Sequence, residues 1–154
     1  MMDACAILWG GAEHSNHVSL RKKQSEIVLT INISDLFFSK ERSLMESLDA
    51  LSMLQEDWDG YGAPRVSEIA ISRCKSSLKV FQSSLYARMT VAANEWGGVQ
   101  LHYTFDGGMV CCDFGDDSMS YYIKRNTDKV KFHSFEKYTE SNIKSLGEIL
   151  YNLA

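Results

Sequence analysis

The sequence predicts an α+β fold in a single domain, residues 1–154, and three observations point there. Hydrophobic periodicity changes from two to about 3.6 near Lys40 and back to two after Trp96. Four short alternating segments are separated by the polar turns "DGG", "GDDS" and "RNTD", the pattern of an antiparallel meander. The last residues form an apolar stripe at helical spacing, narrow enough to dock on a sheet.

Taken in order, "CAILW" reads as a short strand ended by the Gly10-Gly11 turn. "EIVLTINIS" sets Ile27, Leu29, Ile31 and Ile33 on one face and Val28, Thr30 and Asn32 on the other, a strand with one buried side. Leu44, Leu48, Leu51 and Leu54 then mark a helix over about 40–56, with Ser39 as its expected cap and Glu41 in its first turn. A second helix over about 68–85 carries Ile69, Ala70, Cys74, Leu78, Phe81 and Leu85 and is capped by Ser67. The two make a helical hairpin without the basic surface of a DNA reader. "GGVQLHYTF", "MVCCDF", "MSYYIK" and "KVKFHSF" give the four-stranded meander over about 97–135. A final helix over about 140–153 presents Ile143, Leu146, Leu150 and Leu153.

Composition narrows the function classes. The chain has 154 residues, 45% hydrophobic and 23% charged, with one proline, enough for a real core and against disorder. A net charge of −4 argues against general affinity for nucleic-acid phosphates or anionic lipid, and the local Arg21-Lys22-Lys23 run reads as a solvated turn. "ACAILW" is short and preceded by an acid, so it reads as neither signal peptide nor membrane span. Cys5, Cys74, Cys111 and Cys112 form no CxxC motif, and free buried thiols in a reducing cytoplasm are expected. Cys111 and Cys112 are expected to point to opposite faces of a strand, poorly placed to chelate one metal together. No cofactor is expected.

The least ordinary stretch is "DWDGYGAPRVSE", Asp57 to Glu68. Counted as a calcium loop, it has Asp57, Asp59, Gly62 and Glu68 at positions one, three, six and twelve. Tyr61, Pro64 and Arg65 then fall where the motif needs an oxygen ligand, a free N–H and no positive charge. Asp57, Asp59 and Glu68 are thus weak metal candidates. As a corner the stretch reads better: Gly60 and Gly62 reverse the chain, Pro64 ends the helical path, Asp59 builds an Asx-turn, and Trp58 and Tyr61 fold inward as plugs. A partner surface around the two rings is the remaining alternative.

Other constellations are weaker. A Cys–His pair from Cys111 or Cys112 with His102 or His133, oriented by Asp113 or Asp106, lacks any activating helix N-terminus. His14 and His17 have no further ligands. Asp116 and Asp117 read as an exposed turn. Tyr121, Tyr122, Phe132 and Phe135 lie on strands, where an uncovered sheet face would mark a partner surface.

"LQEDWDGYGAPRVSEIAISRC" followed by "GGVQLHY" resembles a widespread set of small bacterial and phage proteins without an assigned activity. They share a W-D-G-Y-G-A-x-P corner and a G-G-x-x-L-x-W/Y strand opening a meander. The similarity spans roughly residues 44–125 and has no counterpart before Ser39. "ARMTVAANEW" replaces the usual proline-rich link, Tyr103 stands where tryptophan is common, and Asp57 lies outside the shared pattern. The resemblance implies a fold and a prokaryotic or phage origin.

The leading expectation is therefore a small cytoplasmic protein-binding module, of immunity, antitoxin or defence type. It would contact another protein or its own copy through Trp58, Tyr61, Tyr121 and Tyr122. The alternative is a metal-dependent hydrolase or nuclease using Asp57, Asp59, Asp116 and Asp117.

Overall fold

A computed structural model describes residues 5–8, 17–21, 29–127, 130–135 and 137–154. The chain has two compact units, divided between Lys40 and Glu41. The first contains the antiparallel sheet β1 (Cys5–Leu8), β2 (His17–Arg21) and β3 (Leu29–Asn32), in that order, with Ala6 opposite Leu20 and Val18 opposite Ile31. The strands expected in "CAILW" and "EIVLTINIS" are present, and β2 joins them. Ile33 opens a helix instead of closing the strand. Gly10, Gly11, His14 and Ile27 lie outside the described residues.

Helix α1 (Ile33–Ser52) crosses the division. It starts directly at the end of β3, so Ser39 is an interior helical residue rather than the expected cap. It closes by tightening: Met53 N–H donates to Ala50 O and Leu54 N–H to Leu51 O. Helix α2 (Glu68–Leu78) is capped as expected, with Ser67 Oγ accepting from the Ile69 and Ala70 N–H groups at 3.2 and 3.3 Å. Its buried side is Ala70, Ile71, Cys74, Ser77 and Leu78, whereas Ile69 is half exposed. Phe81 and Leu85 remain core residues, but a turn and a 3₁₀ segment (Ser83–Arg88) deliver them, not continued α-helix. The two helices are present, but the expected hairpin between them is not clearly formed. α1 and α2 are tied by the Lys75–Asp49 ion pair at 2.5 Å and share the core through Leu48 and Cys74.

The sheet of the second unit has five antiparallel strands: β4 (Met89–Ala93), β5 (Val99–Phe105), β6 (Gly108–Phe114), β7 (Met119–Arg125) and β8 (Lys131–Phe135). The four expected strands are β5 to β8. β4 adds an edge strand inside the segment read as a link, where Met89, Val91 and Ala93 alternate inward opposite Tyr103, Leu101 and Val99. Helix α3 (Glu140–Leu153) is capped by Thr139 Oγ1, which accepts from Asn142 N–H, and buries Ile143, Leu146 and Leu150. These meet the inward residues of the sheet, Leu101, Val110, Cys112, Phe114, Met119 and Tyr121, in one core with α2. Each such large apolar side chain stabilises the fold by roughly 1.5–3 kcal/mol. No described helix is long and apolar enough to cross a membrane.

The Tyr103 ring is fully buried, and its hydroxyl has no hydrogen-bond partner among the described residues. A buried donor left unpaired costs about 1–3 kcal/mol. Tyr103→Phe is therefore expected to hold or raise the melting temperature in a calorimetric scan, with a loss above about 1 kcal/mol contradicting the assignment.

Candidate functional site

The corner 57–67 is built almost entirely by its own backbone and two carboxylates. Asp57 sits in the left-handed region (φ 61), a conformation that aspartate tolerates better than most residues. Its N–H donates to Ala63 O at 2.8 Å, and its Oδ1 accepts from Gly62 N–H at 2.7 Å. Asp59 Oδ1 accepts from Tyr61 N–H (2.8 Å) and Ala63 N–H (3.1 Å), the expected Asx-turn extended by one more bond. Gly60 and Gly62 take φ of 75 and 89, which the reversal requires.

The metal candidates are engaged by the fold itself. Asp57 and Asp59 hold the corner, while Glu68 faces Arg65 at 3.8 Å. Asp116 accepts from Ser67 Oγ at the α2 cap, and Asp117 lies 4.0 Å from Arg73. Arg73 also donates to Gly115 O and stacks 5.0 Å over the Tyr138 ring, so the "GDDS" turn is fastened to α2. Among the described residues, no three His, Cys, Asp or Glu side chains gather in a way that could hold a metal ion.

Backbone donation from Tyr61, then from Ala63, holds the Asp59 carboxyl below its ordinary 3.8. The folded corner favours the carboxylate, so this contribution is complete above the unfolded pKa of about 3.9 and is lost as pH falls through the folded value. Asp59→Asn should melt below wild type at neutral pH. The gap should narrow as the pH drops toward about 2. A gap independent of pH in thermal melts would contradict this role.

The aromatic candidates separate. Trp58 is half-buried and donates from Nε1 to Pro64 O at 3.2 Å. Tyr61 is 94% exposed, so the expectation that it folds inward is wrong: the positive-φ glycines on either side turn it out. Tyr121 is a core residue stacked on His133, with ring centroids 4.9 Å apart, and offers no exposed surface. Tyr122 lies on the opposite, outward face beside Phe132, whose ring is 79% exposed. Period-two geometry forces that split between neighbouring residues.

The thiols are equally decided by position. Burial pushes Cys74 to about 12 and Cys112 well above 9, and burial, with Asp113 adding, pushes Cys111 to about 11. All three are free and buried, and thiols so raised are poor nucleophiles.

The two segments that carry the sequence resemblance meet in space. Ser67 N–H donates to Gly97 O at 2.8 Å, and a Cβ on Gly97 (φ 77) would lie 3.0 Å from Arg65 O and 3.1 Å from Pro64 Cγ. At Gly98 a Cβ would meet Phe114 O at 2.7 Å. Both glycines of "GGVQLHY" are thus required by close backbone approach. This contact also exposes a residue that sequence reasoning passed over. Trp96 is 81% exposed at the tip of the β4–β5 turn, which Asn94 Oδ1 holds by accepting from Trp96 N–H (3.1 Å) and Gly98 N–H (2.7 Å). The available signal was a tryptophan between an asparagine and two glycines, a loop-tip position.

No protein-family model matches this chain, and no curated protein or solved structure is significantly similar to it.

Proposed function

We propose that this chain is a small protein-binding module whose contact surface is the rim formed by Tyr61 and Trp96. The observation that carries this reading is their exposure, 94% and 81%, on two adjoining turns held by internal hydrogen bonds. Exposed aromatics on a pre-ordered backbone anchor interfaces well, because little entropy is lost when a partner covers them. The fold's engagement of Asp57, Asp59, Asp116 and Asp117 favours binding over metal-assisted hydrolysis.

Free, buried thiols support a reducing cytoplasm as the setting. An immunity, antitoxin or defence role in a bacterial or phage host is the biological form we propose, resting on the resemblance of the Trp58–Ala63 and Gly97–Tyr103 segments.

The test is capture of partners from the native host, followed by affinity measurement. Tyr61→Ala with Trp96→Ala should weaken the captured complex at least tenfold, since a hot-spot aromatic contributes about 2 kcal/mol or more. Both side chains are exposed, so the fold should persist. An unchanged affinity with the double variant overturns the proposed surface.

A further inference from the structure

Beside the rim lies a depression of about 560 Å³ whose chemistry is specific. Its floor is one cross-strand row on the outward face: Gln100 on β5, Asp113 opposite it on β6, and Ser120 opposite that on β7. Its wall is Asn94, Glu95 and the exposed indole of Trp96. Among the described residues, the lining carries two carboxylates and no lysine or arginine. Arg65, on the adjoining corner, is turned to Ser52 O (3.4 Å) and Glu68 (3.8 Å). Asn94 positions the site at both ends: its oxygen holds the Trp96 turn, and its amide nitrogen lies 3.4 Å from Asp113 Oδ1.

We infer that this depression receives an arginine side chain of the partner protein. This deepens the protein-binding reading and rests on it. A guanidinium is planar, so it stacks on an exposed indole, and its forked N–H donors match acceptors set side by side. Here those acceptors are the Asp113 carboxylate, the Gln100 amide oxygen and the Ser120 hydroxyl. An anionic ligand would meet Glu95 and Asp113 as like charges, and a purely apolar one would cover the Asp113 carboxylate, which has only the Asn94 amide at 3.4 Å, without bringing it a charged partner. A basic partner also suits a chain of net charge −4.

The experiment titrates the full ¹⁵N-labelled chain with acetyl-Gly-Arg-Gly-amide and with its citrulline counterpart, which keeps the shape and loses the charge. The arginine peptide should move the Trp96 indole and the Asn94 and Gln100 side-chain amide resonances saturably, with the citrulline peptide at least tenfold weaker. Asp113→Asn and, separately, Trp96→Leu should each weaken arginine binding at least threefold. Trp96→Leu guards against a folding effect, because that side chain is exposed. Tyr151→Ala, at an exposed position on α3, should leave peptide binding unchanged.

Equal binding of the two peptides overturns the inference. So does the absence of a saturable shift at about 10 mM peptide, and so does a neutral disaccharide that moves these resonances when the arginine peptide does not. Partner capture that needs Tyr61 but survives Asp113→Asn overturns the arginine site and leaves the protein-binding reading standing. Arginine binding with partner capture unaffected by Tyr61→Ala and Trp96→Ala overturns that reading's surface instead.

Discussion

Gly108→Ala is expected to destabilise this protein by about 3 kcal/mol, lowering its melting temperature by roughly 6–12 °C. Gly108 opens β6 immediately after the Asp106-Gly107 turn and pairs with Phe105 on β5 and Arg125 on β7. A Cβ there would stand 2.0 Å from Lys124 O and 2.9 Å from Arg125 Cα, both backbone atoms of the central sheet that cannot swing aside. Relief requires β6 and β7 to separate locally, with the loss of ladder hydrogen bonds. Gly60→Ala is the informative control. Gly60 also has a positive φ, 75, but nothing lies within 4 Å of its added Cβ, so only the conformational cost of about 1–2 kcal/mol remains. Circular dichroism melts of the two variants separate steric exclusion from backbone preference. Equal losses would show that the β6–β7 ladder accommodates the methyl group.

Phe114→Ala should cost about 3–5 kcal/mol, the range for deleting a fully buried aromatic ring. Phe114 is fully buried at the end of β6, with its ring edge-on to Tyr138 at a centroid distance of 6.4 Å. Tyr138 donates from its hydroxyl to Arg73 O at 3.0 Å, contacts Ser77 Oγ at 3.1 Å, and lies under the Arg73 guanidinium. The cavity would therefore loosen the packing that fastens the 115–118 turn to α2. Hydrogen exchange should quicken at the Tyr138 N–H, which donates to Asp117 O at 3.3 Å. Phe132→Ala, which removes a ring of the same size that is 79% exposed, should change stability by no more than about 0.5 kcal/mol. If the two variants melt alike, the core does not sit where these contacts place it.

The Ser67 cap and the meander were legible before any coordinates, whereas Ser39, the other expected cap, lies inside α1. Ser67 and Thr139 cap α2 and α3 because a hydroxyl at the first turn satisfies N–H groups that nothing else reaches. β5 to β8 follow strict alternation, and turn residues separate them. Periodicity failed where two structures share one spacing. Phe81 and Leu85 continue the helical stripe of α2, yet a turn and a 3₁₀ segment carry them inward, since burial constrains where a side chain ends and not the backbone that brings it there. β4 was hidden differently. Its Met89, Val91 and Ala93 alternation covers only five residues, with the small Thr90 and Ala92 between them, so it read as a link.

The candidate site divides along the same line. Local rules correctly assigned Asp59 to an Asx-turn, because that depends on residues within one loop. Tyr61, Tyr121 and Trp96 could not be placed that way. Which side of a turn or strand faces water depends on what packs against the other side.

The sequence by itself determined the α+β class, the Ser67 cap and the turn chemistry of the corner, all consequences of short-range geometry. Only the tertiary structure decided that Gly97 lies against Pro64, that Trp96 stands beside the Gln100–Asp113–Ser120 row, and that Tyr121 is core while Tyr61 is surface. Those facts come from long-range packing, where residues far apart in the chain compete for the same interior, and no local pattern records which of them wins.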